Sequence, residues 1–220
     1  PKASITNESQ LTVSVTSNAR RGLYLNGAGG ELTIKDSQLD ISTISGQGVN
    51  LNGNNPIFLA EEAKTTIRST SGQRMNLTGS NPKITLSKSQ LSMNAATGRG
   101  IYLQGTAPQV LLDDSQLNME DTGAAQGMIL QGEDAFLSLS NQSEFSLSGA
   151  GTGTLQNIAV GNNNARPELL VTGGSKLSVT TTSGTGGASD TANNAVHLRG
   201  SNPVLRILDR SQVSGRIQSG

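Results

Sequence analysis

The chain lacks most of the residues that fill a conventional globular core. Its 220 residues include no cysteine and no tryptophan, and aromatic residues make up only 2%. Without cysteine there are no disulfide bonds and no thiolate metal sites. So few large side chains argue against an ordinary layered core. The chain must therefore fold around smaller apolar residues that are regularly placed.

The chain also lacks an excess of either charge and any long hydrophobic run. Lys+Arg and Asp+Glu both number 16, so the formal net charge is zero. A neutral chain has no overall electrostatic attraction for nucleic acid or for an anionic membrane surface. No apolar run approaches the roughly 20 residues that span a bilayer. We therefore predict neither a nucleic-acid partner nor membrane insertion.

What the sequence does contain is an internal repeat, marked by the tripeptide Ser-Gln-Leu. Clear copies begin at Ser9, Ser37, Ser89 and Ser115, and degenerate copies begin at Ala63, Ser143, Ser175 and Ser211. The spacing is 26 residues in the middle of the chain and lengthens towards the end. Evenly spaced aliphatic residues and balanced charge exclude a disordered chain. The period points to a stacked repeat architecture.

Each unit contains three short segments with apolar residues at alternate positions, the period of a strand with one buried face. In the middle units the predicted inward residues are Leu32, Ile34, Leu39, Ile41, Val49, Leu51, Ile84, Leu86, Leu91, Met93, Ile101, Leu103, Val110, Leu112, Leu117, Met119, Met128 and Leu130. A glycine after the third segment, often followed by proline three residues later, marks a tight corner.

One unit cannot bury its own apolar face, so the units must stack, each strand beside its equivalent about 4.8 Å away. The sequence therefore predicts an all-β fold: a right-handed, single-stranded parallel β-helix, or β-solenoid, of about eight coils with three short strands each. We expect a single domain over residues 1–220. Because it begins at Pro1 without a signal-like segment, we interpret the chain as a fragment of a longer protein.

Catalytic residues are not predicted. Asp113 and Asp114 are the only adjacent aspartates, but the strand register places Asp113 outward and Asp114 in a turn. The only histidine, His197, lies between two inward residues and should face solvent. No cofactor is predicted; calcium is the open alternative, because Ser183–Thr191 has one weak copy of a Gly-Asp pattern.

Acidic residues concentrate in one part of the chain. Residues 100–165 contain no lysine or arginine, whereas residues 64–99 contain six bases and no acid. The candidate acidic patch consists of Asp113, Asp114, Glu120, Asp121, Glu133 and Asp134. It is either a solvated surface or a salt-sensitive contact surface with weak affinity for cations. The long connections at 148–156 and 180–195 are either part of a binding face or tolerated length variation.

A second candidate surface is the outward side of the third strands. The spacing aligns Tyr24, Asn50, Asn76 and Tyr102 in one row, beside a polar row that includes Gln104. Tyrosine suits both stacking on sugars and contact with proteins. We therefore take these five residues as the candidate ligand-binding face.

The unit ELTIKDSQLDISTISGQGVNLNGNNP, residues 31–56, resembles the repeats of pectate-lyase-like adhesive domains in wall-anchored surface proteins of Gram-positive bacteria. The resemblance implies a secreted protein of the bacterial cell surface that binds a host glycan, an extracellular protein or a neighbouring cell. The chain lacks the calcium ligands and arginine base of the lyases, and also the Gly-His-Gly and Arg-Ile-Lys motifs of the related polygalacturonases.

Two functions follow from the sequence. The first is a non-catalytic adhesion or stalk module, of which a passenger segment of a Gram-negative autotransporter is a variant. The alternative is a carbohydrate-active β-helix, either a polysaccharide lyase or hydrolase or a phage-type depolymerase. Binding without turnover would distinguish the first from the second.

Overall fold

The computed structural model describes residues 1–17, 20–121, 125–149, 157–162, 166–181 and 195–219. Within these ranges the regular secondary structure consists of strands β1 to β23. No helix in the described ranges is long and apolar enough to cross a membrane.

The strands are short, most of them four to six residues. In chain order they are β1 (Lys2–Ile5), β2 (Gln10–Val15), β3 (Leu23–Asn26), β4 (Glu31–Lys35), β5 (Gln38–Thr43), β6 (Val49–Asn52), β7 (Ile57–Glu61), β8 (Lys64–Ser71), β9 (Met75–Thr78), β10 (Lys83–Ser87), β11 (Gln90–Gln104) and β12 (Gln109–Asp113). They continue as β13 (Gln116–Asp121), β14 (Ala125–Gln131), β15 (Phe136–Ser140), β16 (Glu144–Gly149), β17 (Asn157–Gly161), β18 (Glu168–Val171), β19 (Lys176–Thr181), β20 (Ala195–Arg199), β21 (Val204–Ile207), β22 (Gln212–Ser214) and β23 (Arg216–Ser219).

Three parallel sheets form the sides of the solenoid, numbered here in the order in which the chain enters them. Sheet 1 contains eight strands in the order β1, β4, β7, β10, β12, β15, β18 and β21. Sheet 2 contains β2, β5, β8, the first part of β11, β13, β16, β19 and β22. Sheet 3 contains β3, β6, β9, the second part of β11, β14, β17, β20 and β23.

The strands pair with their equivalents in the next coil. In sheet 2, for example, Leu91 pairs with Leu117 and Met93 with Met119. This register confirms the all-β, single-stranded parallel β-solenoid that the repeat predicts. Its right-handed winding stays a prediction.

The core is a narrow column of stacked aliphatic side chains from all three sheets. All eighteen inward residues predicted for the middle units are 2% exposed or less. Each coil contributes only alternate residues, so the interior fills without large rings. This geometry explains how a chain with 33% hydrophobic residues buries a continuous core.

The corner between sheets 1 and 2 explains the Ser-Gln-Leu marker. The residue before the marker serine takes a left-handed backbone conformation in the middle coils, with φ of 48° at Asp36 and 46° at Asp114. The serine itself turns inward. The hydroxyl of Ser115 accepts a hydrogen bond from Ser89 N–H at 3.0 Å and donates to the carbonyl of Asp113 at 2.7 Å. We call this repeated arrangement the serine ladder.

The serine ladder runs through most of the solenoid. Backbone N–H groups donate to the serine hydroxyl of the following coil at Ser9, Ala63, Ser89, Ser115, Ser143 and Ser175, over 3.0–3.1 Å. Ala63 interrupts the ladder because it has no hydroxyl with which to accept from Ser37. The marker serine therefore has a structural role, because its hydroxyl accepts a hydrogen bond from a backbone N–H group at a buried corner.

The corner before sheet 3 departs from simple alternation. Register places Gly22, Gly48, Arg74, Gly100 and Gly127 at equivalent positions. A Cβ atom at Gly48 would lie 2.4 Å from Ile67 Cγ2, so this position points into the core. Arg74 nevertheless occupies it, fully buried, with Nη2 3.3 Å from where a Gly100 Cβ would lie. Glycine in the next coil leaves room for the arginine.

Candidate functional site

The outer face of sheet 3 contains the row of side chains predicted from the spacing. Parallel pairing joins Tyr24, Asn50, Asn76, Tyr102, Ile129, Ala159 and His197 in that order. The neighbouring row contains Asn26, Asn52, Thr78, Gln104 and Gln131. The two tyrosines are three coils apart, about 14 Å along the axis at about 4.8 Å a coil.

Members of this row differ in exposure. Tyr24 is 43% exposed, while Asn76 and Tyr102 are half-buried. Asn50, expected to face solvent with the others, is only 3% exposed. Its amide Nδ2 donates to Gln47 Oε1, and its Oδ1 is buried with no hydrogen-bond partner in the described part of the chain. The face is thus a packed layer of side chains.

Two arginines that the sequence interpretation did not single out lie against the tyrosines. The guanidinium of Arg21 is 4.1 Å from the centroid of the Tyr24 ring, and that of Arg99 is 4.7 Å from the Tyr102 ring. Both distances are typical of cation–π contacts. Because each arginine is three residues before its tyrosine, the 26-residue period was the signal that could have found the pairs.

Hydrogen-bonded amide side chains continue from the first Arg–Tyr pair into the next two coils. Arg21 Nε donates to Gln47 Oε1 at 3.0 Å, and Gln47 Nε2 donates to Gln73 Oε1 at 2.7 Å. At the other end, the Tyr102 hydroxyl donates to Gln131 Oε1 at 2.7 Å. We call the set Arg21, Tyr24, Gln47, Asn50, Gln73, Asn76, Arg99 and Tyr102 the Arg–Tyr face. Cation–π contacts and hydrogen bonds join several of its members to one another or to neighbouring side chains.

The strands of sheet 3 contain no aspartate or glutamate. Sheets 1 and 2 differ, with acids in several strands, many of them beside a base one coil away. Lys2 lies 2.6 Å from Glu31 and Lys176 lies 3.4 Å from Glu144. Among the described strands, those of sheet 3 therefore contain arginines and no acid of their own.

The structure does not gather the candidate acidic residues into one patch. Asp113 ends a strand of sheet 1, and Asp114 occupies the following corner. Glu120 lies on sheet 2, where it accepts a hydrogen bond from Asn94 at 3.1 Å. The remaining two described acids lie in the corner before β15, where Asp134 is 3.2 Å from Arg166.

Glu133 is the second acid of that corner. The backbone of Asp121 ends β13, but its side chain lies outside the described residues. Ser183–Thr191 and most of the long connections at 148–156 and 180–195 also lie outside them. In the described ranges, no group of three or more histidines, aspartates or glutamates is placed to hold a metal ion.

His197 continues the Tyr24 row near the end of sheet 3, as predicted, but it is half-buried. Burial lowers its pKa from the ordinary 6.5, and the positive charges of Arg199 and Arg216 lower it further. The imidazole is therefore neutral at pH 7. After burial, two arginines of the last coils thus contribute to the shift.

A shallow groove of about 660 Å³ follows the corner between sheets 1 and 2 over five coils. Its charged lining includes Glu8, Asp36, Glu62, Lys88 and Asp114. Lys88 lies 3.5 Å from Glu62, so opposite charges from neighbouring coils compensate each other here. With Lys64 the lining contains four acids and two bases, so the groove has an excess of acids, whereas the strands of sheet 3 contain none.

No family model, curated protein or solved structure matches the chain. The chain is a parallel β-solenoid, an architecture compatible with the pectate-lyase-like β-helices. The architecture alone does not determine a function.

Proposed function

We propose that this chain is a non-catalytic adhesion or stalk module of a bacterial surface protein, and that it binds its ligand on the outer face of sheet 3. A parallel β-solenoid with a candidate binding face on one sheet fits best the class of pectate-lyase-like adhesive domains in Gram-positive wall-anchored proteins. The expected partners are a host glycan, an extracellular protein or a neighbouring cell.

The observation that carries the proposal is the Arg–Tyr face. It presents aromatic rings and amides in straight rows across four coils, whereas a catalytic site concentrates its groups at one point. Rows with a spacing of about 4.8 Å suit an extended polymer, because equivalent contacts recur along its length. Tyrosine provides a large contact area at a small cost in side-chain entropy.

The test replaces both tyrosines and follows binding and turnover in the same experiment. Wild-type protein and the Tyr24→Ser/Tyr102→Ser variant are applied to immobilised polygalacturonate, glycosaminoglycans and matrix proteins. We expect wild-type protein to bind one of these without releasing sugar, and the variant to bind it at least tenfold more weakly. Far-UV circular dichroism should be unchanged, because both rings lie outside the core.

The matched control is Phe136→Ser, which removes a half-buried ring from the outer face of sheet 1. This variant should bind as wild-type protein does. Unchanged binding by the tyrosine variant would remove the outer face of sheet 3 from consideration. Release of reducing or unsaturated sugar would replace the adhesion function with the carbohydrate-active alternative.

A further inference from the structure

The charge distribution around the solenoid indicates the chemistry of the ligand. In the first four coils, the third strands and their flanking corners, residues 20–30, 44–56, 70–82 and 98–108, contain no acid. They contain Arg20, Arg21, Arg74 and Arg99, of which Arg74 is buried. These segments therefore present outward arginines and no carboxylate of their own to an approaching anion.

The two outward arginines of the Arg–Tyr face are held in defined positions. Each guanidinium lies over a tyrosine ring, a contact that favours one placement of the arginine side chain. Arg21 also donates through Nε to Gln47, which leaves both of its Nη groups without a partner among the described residues. A guanidinium presented in this way suits a carboxylate or sulfate, with which it forms paired hydrogen bonds.

Between the arginines lie the groups that suit sugar hydroxyls. The side chains of Gln47, Gln73, Asn50 and Asn76 both donate and accept hydrogen bonds. The buried Asn50 Oδ1, which has no hydrogen-bond partner in the described ranges, shows that the amide layer contains an unmet acceptor.

We propose that the Arg–Tyr face binds an anionic polysaccharide that lies parallel to the solenoid axis. Arg21 and Arg99, about 14 Å apart at about 4.8 Å a coil, bind its acidic groups, while the amides between them bind its hydroxyls. The inference rests on the proposed function and specifies the ligand class for that site. Carboxylate and sulfate share the chemistry of recognition, so the experiment separates them.

The experiment compares polymers that differ only in charge. Binding of the 220-residue chain is measured to dextran sulfate against dextran, and to polygalacturonate against its methyl ester. We expect at least tenfold tighter binding to one or both acidic polymers, with affinity falling as salt increases. The acidic polymer that is bound more tightly then identifies sulfate or carboxylate as the preferred group.

Paired variants locate the site. Arg21→Gln/Arg99→Gln should weaken binding of the acidic polymer at least tenfold. The control Lys64→Gln/Arg68→Gln removes the same charge from exposed positions on sheet 2 and should change binding less than twofold. Equal losses in the two variants would overturn the proposal, because net charge alone would then explain binding.

Two further outcomes separate this inference from the proposed function. If acidic and neutral polymers bind equally and the tyrosine variant loses this binding, the ligand is not specifically anionic, while the adhesion function is retained. Binding of polyglutamate as tight as that of the acidic polysaccharides would also overturn it, in favour of an acidic polypeptide. Absence of binding to all of these polymers would refute the ligand class, and matrix proteins would then decide the adhesion function.

Discussion

Ser115 lies in the middle of the serine ladder, and its replacement tests the ladder directly. It is buried, and its hydroxyl both accepts from Ser89 N–H and donates to the carbonyl of Asp113. Ser115→Ala leaves the N–H of Ser89 without an acceptor at a buried corner. Since an unsatisfied buried donor costs about 1–3 kcal/mol, we expect the free energy of unfolding to fall by that amount.

Ala63 offers the reciprocal experiment, because it occupies a buried ladder position without a hydroxyl. In Ala63→Ser the new hydroxyl should accept from Ser37 and donate within its own coil, as its neighbours do. A net gain of about 0.5–1.5 kcal/mol is expected, the usual contribution of an added hydrogen bond. The two substitutions change the same chemistry in opposite directions and should have opposite signs.

Urea unfolding followed by far-UV circular dichroism measures both variants, with m-values expected to match that of wild-type protein. Amide hydrogen exchange gives a local check: Ser115→Ala should accelerate exchange at Ser89 more than at Ser143, which donates to Ser175 Oγ. If Ser115→Ala is neutral, or if Ala63→Ser destabilises as much as Ser115→Ala does, the ladder does not stabilise the corner and the reasoning is wrong.

Two further predictions concern the core and pH. Gly48→Ala should lower the free energy of unfolding by about 1–3 kcal/mol, because its Cβ would lie 2.4 Å from Ile67 Cγ2. The control is Gly30→Ala, whose Cβ would have no neighbour closer than 3.6 Å. Equal urea midpoints for the two variants would contradict the packing argument. Because the pKa of His197 is lowered in the folded protein, the unfolded chain binds a proton at this residue more readily. The contribution of His197 to the free energy of unfolding is therefore complete above pH 6.5 and is lost as the pH falls towards the folded pKa. His197→Gln should reduce that loss in urea titrations from pH 7.5 to 5, and an unchanged pH dependence would count against the shift.

Sequence reasoning succeeded where stacking leaves one solution. Side chains separated by one repeat must pair in a parallel solenoid, so Leu91 beside Leu117 followed directly from the 26-residue period. The same logic placed Tyr24 and Tyr102 in one row. Periodicity therefore predicted both the sheets and the residues that form the candidate face.

Corners and side-chain networks could not be read in this way. Two-residue alternation places the neighbour of an inward residue outside, but Arg74 and Met75 are both buried because the chain turns between sheets there. Asn50 is on an outward row and is covered because it packs with Gln47. Such burial depends on how neighbouring side chains lie, which strand spacing does not determine.

The charge pattern shows a related limit. Counting charge along the chain suggested an acidic band, yet neighbours in space come from the adjacent coil. Asp134 lies beside Arg166 for this reason, although 32 residues separate them in sequence. Charged residues counted along each sheet, and not along the chain, distinguish sheet 3, whose strands contain no acid, from the other two sheets.

The register of the coils places equivalent positions at fixed intervals along the solenoid axis. Equivalent positions in the middle of the chain are 26 residues apart, so removal of residues 73–98 would join two backbones that already occupy matching places. Such a deletion would leave Tyr24 and Tyr102 two coils apart instead of three, a separation of about 10 Å along the axis at about 4.8 Å a coil. Distances between contact points on this surface can therefore change only in whole steps, through gain or loss of complete coils, and not by gradual drift.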